Sequence, residues 1–401
     1  MDQVVSPPVA PARSARVAFT GSRGDFFRLV RRGAMLELIT AGFYRFWLAT
    51  DMRRALWSGT SLEGDHAEYT GTGKELLIGF LFALAILAPI YFIYFLIGIE
   101  AERAKAFASI PLFLFFYAFS QFAIFRARRY RATRTVWRGV RFWMTGSGWA
   151  YSWRSCLWGL LILVTLGLAL PWRESALERY KMRHLHYGDL QGSFEGTGWG
   201  LFKRGWWLWL LLFALVALPF GVVVAFPRHP GFAGLPAVLL LIVGPFAYSA
   251  YKAMTWRWWA SGIRFGEMRF ESDLRAGALM GVYWATIGWT LLLMIADAIV
   301  VSVIFFVVLP AATGHSGAQA LLFFARQHSY LMFAANLVNY LVFALCLGVV
   351  TRVYLLYGVW ERVVTSATVH NLERADDVSA RGDLASALGE GFADGLDVAG
   401  F

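Results

Sequence analysis

The chain has 401 residues, of which 58% are hydrophobic and 16% charged, with a formal net charge of +11. Soluble domains average about 45–50% apolar and about 25% charged residues, so this balance excludes an ordinary soluble core and points to an integral membrane protein. The two cysteines, Cys156 and Cys346, lie in apolar runs and offer neither a disulfide framework nor metal-ligand spacing.

Residues 1–16 are rich in Pro, Ala and Val without an apolar signal-peptide core, and are expected to form a disordered cytoplasmic start. Val17-Ala-Phe19 could add a short strand. Segment 33–48 begins and ends beside basic residues and contains Glu37 and Arg45. It is too short to cross, so an interfacial or re-entrant helix is expected there. Uncharged segments long enough to cross a bilayer follow at 76–99, 106–125, 205–227, 230–251, 276–296 and 329–351. Segment 156–172 is a second expected re-entrant or interfacial helix; it is apolar enough to cross, which leaves an eight-span arrangement open.

The intervening polar segments start with basic and aromatic residues compatible with helix. They close on short alternating stretches: His66-Ala-Glu-Tyr69, Val140-Arg-Phe142, Ser193-Phe-Glu195, Ile263-Arg-Phe265 and Met268-Arg-Phe270. Such alternation predicts strands, and the glycines after them permit a sharp turn into the next helix. After Trp360 the chain turns acidic. Leu384, Leu388, Phe392 and Leu396 recur every four residues, which permits one amphipathic helix able to dock on the basic segments.

Two stretches repeat at an offset of about 125 residues, a spacing that marks tandem units. Thr40-Ala-Gly-Phe-Tyr-Arg-Phe-Trp47 matches Thr165-Leu-Gly-Leu-Ala-Leu-Pro-Trp172, and Gly71-Thr-Gly73 matches Gly196-Thr-Gly198. Placing every basic segment in the cytoplasm gives three long hairpins with both termini inside. The expected fold is therefore an all-α polytopic membrane protein with internal tandem repeats. It has about six transmembrane helices, two short re-entrant or interfacial helices, and small cytoplasmic β-elements. The expected units are 17–141, 142–269 and a partial 270–360, followed by an acidic tail over 361–401.

Several of these motifs together resemble the YjgN family of bacterial inner-membrane proteins. They are the Thr40–Trp47 stretch with Arg53-Arg54, then Gly64-Asp65 and Glu68-Tyr-Thr-Gly-Thr-Gly-Lys-Glu-Leu76. Arg128-Arg-Tyr-Arg131 with Thr135-Val-Trp-Arg-Gly-Val-Arg-Phe142 is similar to the family's second signature. Thr165–Trp172, Tyr187-Gly-Asp189 and Gly391-Phe-Ala-Asp-Gly-Leu-Asp397 resemble later ones. The resemblance implies a multi-pass protein of the bacterial inner membrane and brings no established activity.

The sequence holds no phosphate loop, no His-Glu-x-x-His and no Gly-x-Ser-x-Gly elbow, so neither catalytic residues nor a cofactor are expected. His184, His186 and Asp189 form only a weak metal pattern, and no metal is assigned. Asp297 stands alone in an apolar run, where a charge is costly and usually faces a bundle interior or a water-filled path. Asn336 and Asn339 in the partner span are its candidate companions. Arg53, Arg54, Arg126, Arg128, Arg129, Arg131 and Arg138, interleaved with aromatic residues, are candidate contacts for anionic lipid headgroups. The basic charge is read as cytoplasmic orientation, with no nucleic-acid partner. The expected function is transport or permeation of a small solute or ion; the alternative is a non-catalytic lipid-binding or scaffolding protein of the envelope.

Overall fold

The computed structural model describes residues 13–100, 102–225, 235–382 and 384. An extended N-terminal segment supplies two short strands, β1 (Ser14–Arg16) and β2 (Ala18–Phe19). Helices α1 (Arg23–Ile39) and α2 (Arg45–Ser58) lead to the hairpin β3 (Thr60–Leu62) and β4 (Asp65–Tyr69). The long helices α3 (Gly73–Glu100) and α4 (Glu102–Arg134) lead to β5 (Thr135–Trp137) and β6 (Val140–Met144). Next come α5 (Gly148–Val164), α6 (Leu170–Arg183), β7 (Leu185–Tyr187) and β8 (Leu190–Phe194), then α7 (Gly198–Ala225), α8 (Leu235–Gly262), β9 (Ile263–Phe265) and β10 (Met268–Ser272). The last part runs through α9 (Ala276–Val303), α10 (Leu309–Thr313), α11 (Gly317–Gln327), α12 (Ser329–Val350), α13 (Tyr357–Thr365) and β11 (Ala367–His370).

All the strands join one antiparallel sheet of eleven, in the order β1-β11-β10-β9-β8-β7-β6-β5-β4-β3-β2. Its two ends are the two halves of one N-terminal segment. Ser14, Ala15 and Arg16 face His370, Val369 and Thr368, while Ala18 and Phe19 face Ser61 and Thr60. Between them the Val17 amide donates to the Ala367 carbonyl at 2.9 Å. The sheet is therefore a nearly closed ring, and its closure leaves few unpaired edge groups. Each hairpin turns on two residues. Glu63-Gly64 and Arg138-Gly139 have positive φ at both positions (55° and 88°, 48° and 73°), the pattern whose twist matches paired strands.

Two expectations are corrected here. The fold is not all-α with small β-elements: the short strands are one continuous ring to which every helix pair is tied. Expected unit boundaries at 141/142 and 269/270 fall inside β6 and β10. Nor are there about six spans. Among the described residues four helices are long and apolar enough to cross a membrane, Gly73–Leu96, Ser109–Arg134, Ala276–Thr313 and Ser329–Thr365. The helix expected through Leu384, Leu388, Phe392 and Leu396 lies, beyond Leu384, outside the described residues, and the disorder expected to residue 16 gives way to β1 at Ser14.

Segments 33–48 and 156–172 are likewise not single helices. Each holds the end of one helix, a tight turn and the start of the next. The turns have the same geometry: Ala41 and Leu166 both have φ of 49°, and Gly42 and Gly167 have φ of 90° and 91°. Thr40 Oγ1 accepts from the Tyr44 amide at 2.9 Å, and Thr165 Oγ1 from the Ala169 amide at 3.1 Å. Trp209 Nε1 donates to the Leu166 carbonyl at 3.0 Å, so the α5–α6 tip reaches Trp209 on α7. That is about 16 Å from Gly198 at 1.5 Å per residue, half the roughly 30 Å thickness of a bilayer core. The tip residues Leu163, Val164 and Leu166 are exposed and apolar, as are Leu38, Ile39 and Phe43 at the α1–α2 tip.

Two glycines seat these short hairpins on the long helices. A Cβ at Gly73 would lie 2.7 Å from the Trp47 Cα, and one at Gly198 would lie 2.7 Å from the Trp172 Cα. Only hydrogen fits where these helix starts meet backbone. Beneath α6–α8, an aromatic core of Tyr187, Phe194, Trp258 and Phe265 joins ring to helices, with Phe142 against Tyr187 at 4.7 Å.

Candidate functional site: clamps on the hairpin ring and charges at membrane level

Of the arginines singled out from sequence, Arg53 and Arg54 hold the ring to α2, Arg128 joins α4 to α6, and Arg138 ties turns of the ring together. Glu178 on α6 is buried and faces Arg128 of α4 at 3.1 Å, Lys181 one turn along its own helix, and Trp259 Nε1 of α8 at 3.1 Å. Arg128 also reaches Met182 Sδ at 3.4 Å. Burial pushes the Glu178 carboxyl up, but Arg128 and then Lys181 outweigh it and hold it down to about 2. Burial lowers the Lys181 ammonium in turn, so Arg128 is the constant counter-charge of this cluster.

The same device recurs at the first ring segment. Arg134 pairs with Glu75 at 2.8 Å, and Tyr130 donates to that carboxylate at 2.5 Å. Arg53, buried, donates to Tyr69 Oη at 3.3 Å, and Arg54 donates to the Gly71 carbonyl at 2.8 Å. A groove of about 510 Å³ opens beside them, lined by Asp51, Arg54, Ser58 and Glu68. Arg131 lies in the last turn of α4, whereas Arg126 and Arg129 lie on another face.

Arg138 is the hub of the turn end of the ring. Its guanidinium binds Asp65 at 2.5 Å, Glu63 at 2.8 Å and Asp376 at 2.7 Å. Asp376 belongs to the segment after β11, which runs across the hairpin turns. Arg374 pairs with Glu267 at 2.9 Å in the β9–β10 turn. Asp376 also binds Arg13 at 3.1 Å, and the Ser379 amide donates to Asp189 at 3.1 Å in the β7–β8 turn. Gly382 packs against Trp143 so closely that a Cβ would lie 2.2 Å from the ring. This strap touches the β5–β6, β7–β8 and β9–β10 turns, and Arg13 and Arg138 link it to Glu63 in the β3–β4 turn.

Inside the apolar level the structure places Glu37 and Arg352 together. Glu37 is buried, and the two groups form a two-pronged pair at 2.8 and 2.9 Å. Arg352 sits in a π-helical turn, Thr351–Leu356, a form that often marks functional positions. Asp297 is half-buried on α9 with no hydrogen-bond partner among the described residues. Asn336 donates back to its own helix, to the Met332 carbonyl at 2.8 Å. Val282 beside Gly358 and Trp289 stacked on Tyr354 fix the packing register of these helices. That register puts Asp297 level with about Cys346, roughly 10 Å along the axis from Asn339. No hydrogen bond joins the three.

His184 and His186 have separate tasks. His184 Nδ1 bonds the Thr145 hydroxyl at 3.1 Å, and His186 stacks on Trp143 at 4.2 Å. No group of three or more His, Cys, Asp or Glu side chains able to hold a metal ion occurs among the described residues.

The ring and its strap fall within residues 14–395, which match the family model described as "Bacterial protein of unknown function (DUF898)". The chain belongs to this family. A similar relative of the YjgN family is the protein named Inner membrane protein YjgN of Salmonella typhimurium (strain LT2), 26% identical over 151 residues. The aligned part is 37% of this chain and 35% of that relative. No solved structure matches the chain. With four apolar helices among its described residues, the YjgN-family chain is a membrane protein of unknown function. Sequence reasoning missed Glu75, Glu178, Lys181 and Arg352. The spacing of Glu178 and Lys181, three apart on a helix, was the available signal for one of these clamps.

Proposed function

We propose that this YjgN-family protein is a non-catalytic scaffold of the bacterial inner membrane, engaging anionic lipids, with the hairpin ring on the cytoplasmic side. The observation that carries the reading is the use of charge. Arg53, Arg54 and Arg138 spend donors on the ring and its turns, and Arg128 and Arg134 on carboxylates of α6 and α3, so the basic belt holds strands and helix pairs together. Above the ring, the most apolar 18-residue stretches of the two last spans have no buried residue within the chain. Those faces are free for lipid or a protein partner. Lys74, Arg154 and Lys203 sit in the ring-side halves of their helices, which favours a cytoplasmic ring and cytoplasmic termini. The matched turns at Thr40 and Thr165, with Gly73 and Gly198 seated alike, favour tandem units built by duplication.

Transport of a small ion is the second reading, favoured by the Glu37–Arg352 pair, since ionised groups at membrane depth commonly line substrate paths. Liposomes carrying the protein separate the two. The scaffold reading expects proton, potassium and chloride flux equal to that of empty liposomes, together with retention of anionic lipid on the purified protein. Flux above that level, changed several-fold by Glu37→Gln, would sink it in favour of transport.

A further inference from the structure

The two short helix pairs, α1–α2 and α5–α6, each carry an exposed stripe that changes character along its length. On α1 the stripe runs Arg28, Arg31, Arg32 and then Met35, Leu38 and Ile39, at the three- and four-residue spacing of one helix face. On α5 it runs Trp149, Trp153 and then Leu157, Leu160, Leu161 and Val164. Arginine and tryptophan suit the headgroup zone, and the apolar stretch beyond them suits acyl chains, so each stripe marks where the hydrocarbon begins.

The reach beyond that mark is short. Ile39 lies seven residues past Arg32 on α1, about 10 Å of helix, and Val164 lies ten past Arg154 on α5, about 15 Å. One leaflet contributes about 15 Å of the roughly 30 Å core, so both tips end within the ring-side leaflet. Both pairs are fixed at this depth. Glu37 is bound to Arg352 of the last span, Ser155 Oγ of α5 donates to Gln121 on α4 at 2.8 Å, and Ser152 Oγ donates to the Ala118 carbonyl at 2.6 Å. At the far end, among the described residues, only α10 and α11 add helix beyond the long ones. A helix about 10–12 Å across occupies about 80–110 Å² of a leaflet, so the four short helices add about 300–450 Å² to one leaflet alone.

We propose that the α1–α2 and α5–α6 hairpins act as wedges in the ring-side leaflet, so that the protein favours membrane that is convex on its ring side. The inference deepens the scaffold reading and rests on it for contact with lipid.

The test uses the full chain with Cys156 and Cys346 replaced by serine and a fluorophore on Arg269→Cys, an exposed position of the ring. It is reconstituted in both orientations into giant vesicles of phosphatidylethanolamine and phosphatidylglycerol, and a narrow membrane tube is drawn from each vesicle. An impermeant quencher outside separates ring-outward from ring-inward molecules. Ring-outward molecules are expected to be enriched on the tube about twofold over the vesicle wall, and ring-inward molecules depleted. Ile39→Ser/Leu163→Ser/Val164→Ser changes only exposed tip side chains, so it should keep the thermal melt and lose most of the sorting. Equal density of both orientations on tube and wall overturns the wedges, as does enrichment of ring-inward molecules or full sorting in the triple variant. None of these outcomes touches the scaffold reading, which fails separately if the purified protein retains no anionic lipid.

Discussion

At the scale of single residues, the clearest dependence is on Glu178. Its buried carboxylate balances two partly buried cations, so Glu178→Gln leaves Arg128 and Lys181 short of a counter-charge. A loss of about 3–5 kcal/mol is expected, read as a fall in the thermal melting temperature in detergent. The pH dependence has a definite sign. The carboxyl is held at about 2 against an ordinary 4.5. Its stabilisation is complete at neutral pH and fades as pH falls from about 4.5 towards 2. Lys181 acts against this, because burial disfavours its charged form, so the cluster as a whole contributes less than the carboxylate alone. A melting temperature of the wild type that holds steady down to pH 3 would show that the Glu178 carboxyl is not held below its ordinary value in the fold. The sequence carried the charges of this cluster but not their pairing. Arg128 was visible as part of a basic run, while Glu178 lies 50 residues away and meets it only because α6 folds back beside α4.

At the scale of elements, close helix starts govern how the short hairpins sit. Gly73→Ala and Gly198→Ala each drive a methyl into tryptophan backbone at 2.7 Å, and each is expected to cost about 1–3 kcal/mol. Gly277→Ala, on the first turn of α9 with open space around it, is the matched control and is expected to be neutral or slightly stabilising. Chemical denaturation of the three variants side by side checks this. The Thr-Gly-Thr-Gly phrase was legible as a turn into a helix, and the structure adds that its last glycine is fixed by tryptophan contact. The strap is a second element-scale case. Removing the Asp376 charge with Asp376→Asn takes one partner from Arg138 and one from Arg13, both partly exposed. Global stability should change by about 1 kcal/mol or less. Amide exchange over residues 371–382 should rise, while exchange in β9 and β10 stays unchanged.

At the scale of the whole molecule, the ring was the feature least legible in the chain. The strands have two to five residues, and a lone hairpin of that length is marginal in water. Each alternating stretch could be read locally as a strand. Their union depends on pairing across helical insertions, and on a last strand, β11, that reaches the first one from over 350 residues away. The apolar runs were legible because bilayer length imposes itself on composition. The short segments were misread as single helices because their αL turns at Ala41 and Leu166 look like helix interior when only hydrophobicity is followed.

The most direct test of the closed ring is a pair of engineered disulfides in a chain with Cys156 and Cys346 replaced by serine. Cysteines at Ser14 and His370 face each other across β1 and β11, and cysteines at Ala18 and Ser61 face each other across β2 and β3. Facing antiparallel strand positions lie within disulfide reach. With both pairs present in one molecule in native membranes, the ring requires both bridges to form together, seen as two crosslinked peptides after digestion of the unreduced protein. Efficient formation of one bridge only, or mutual exclusion of the two, would mean that the N-terminal segment pairs with one end of the sheet and that the ring stands open.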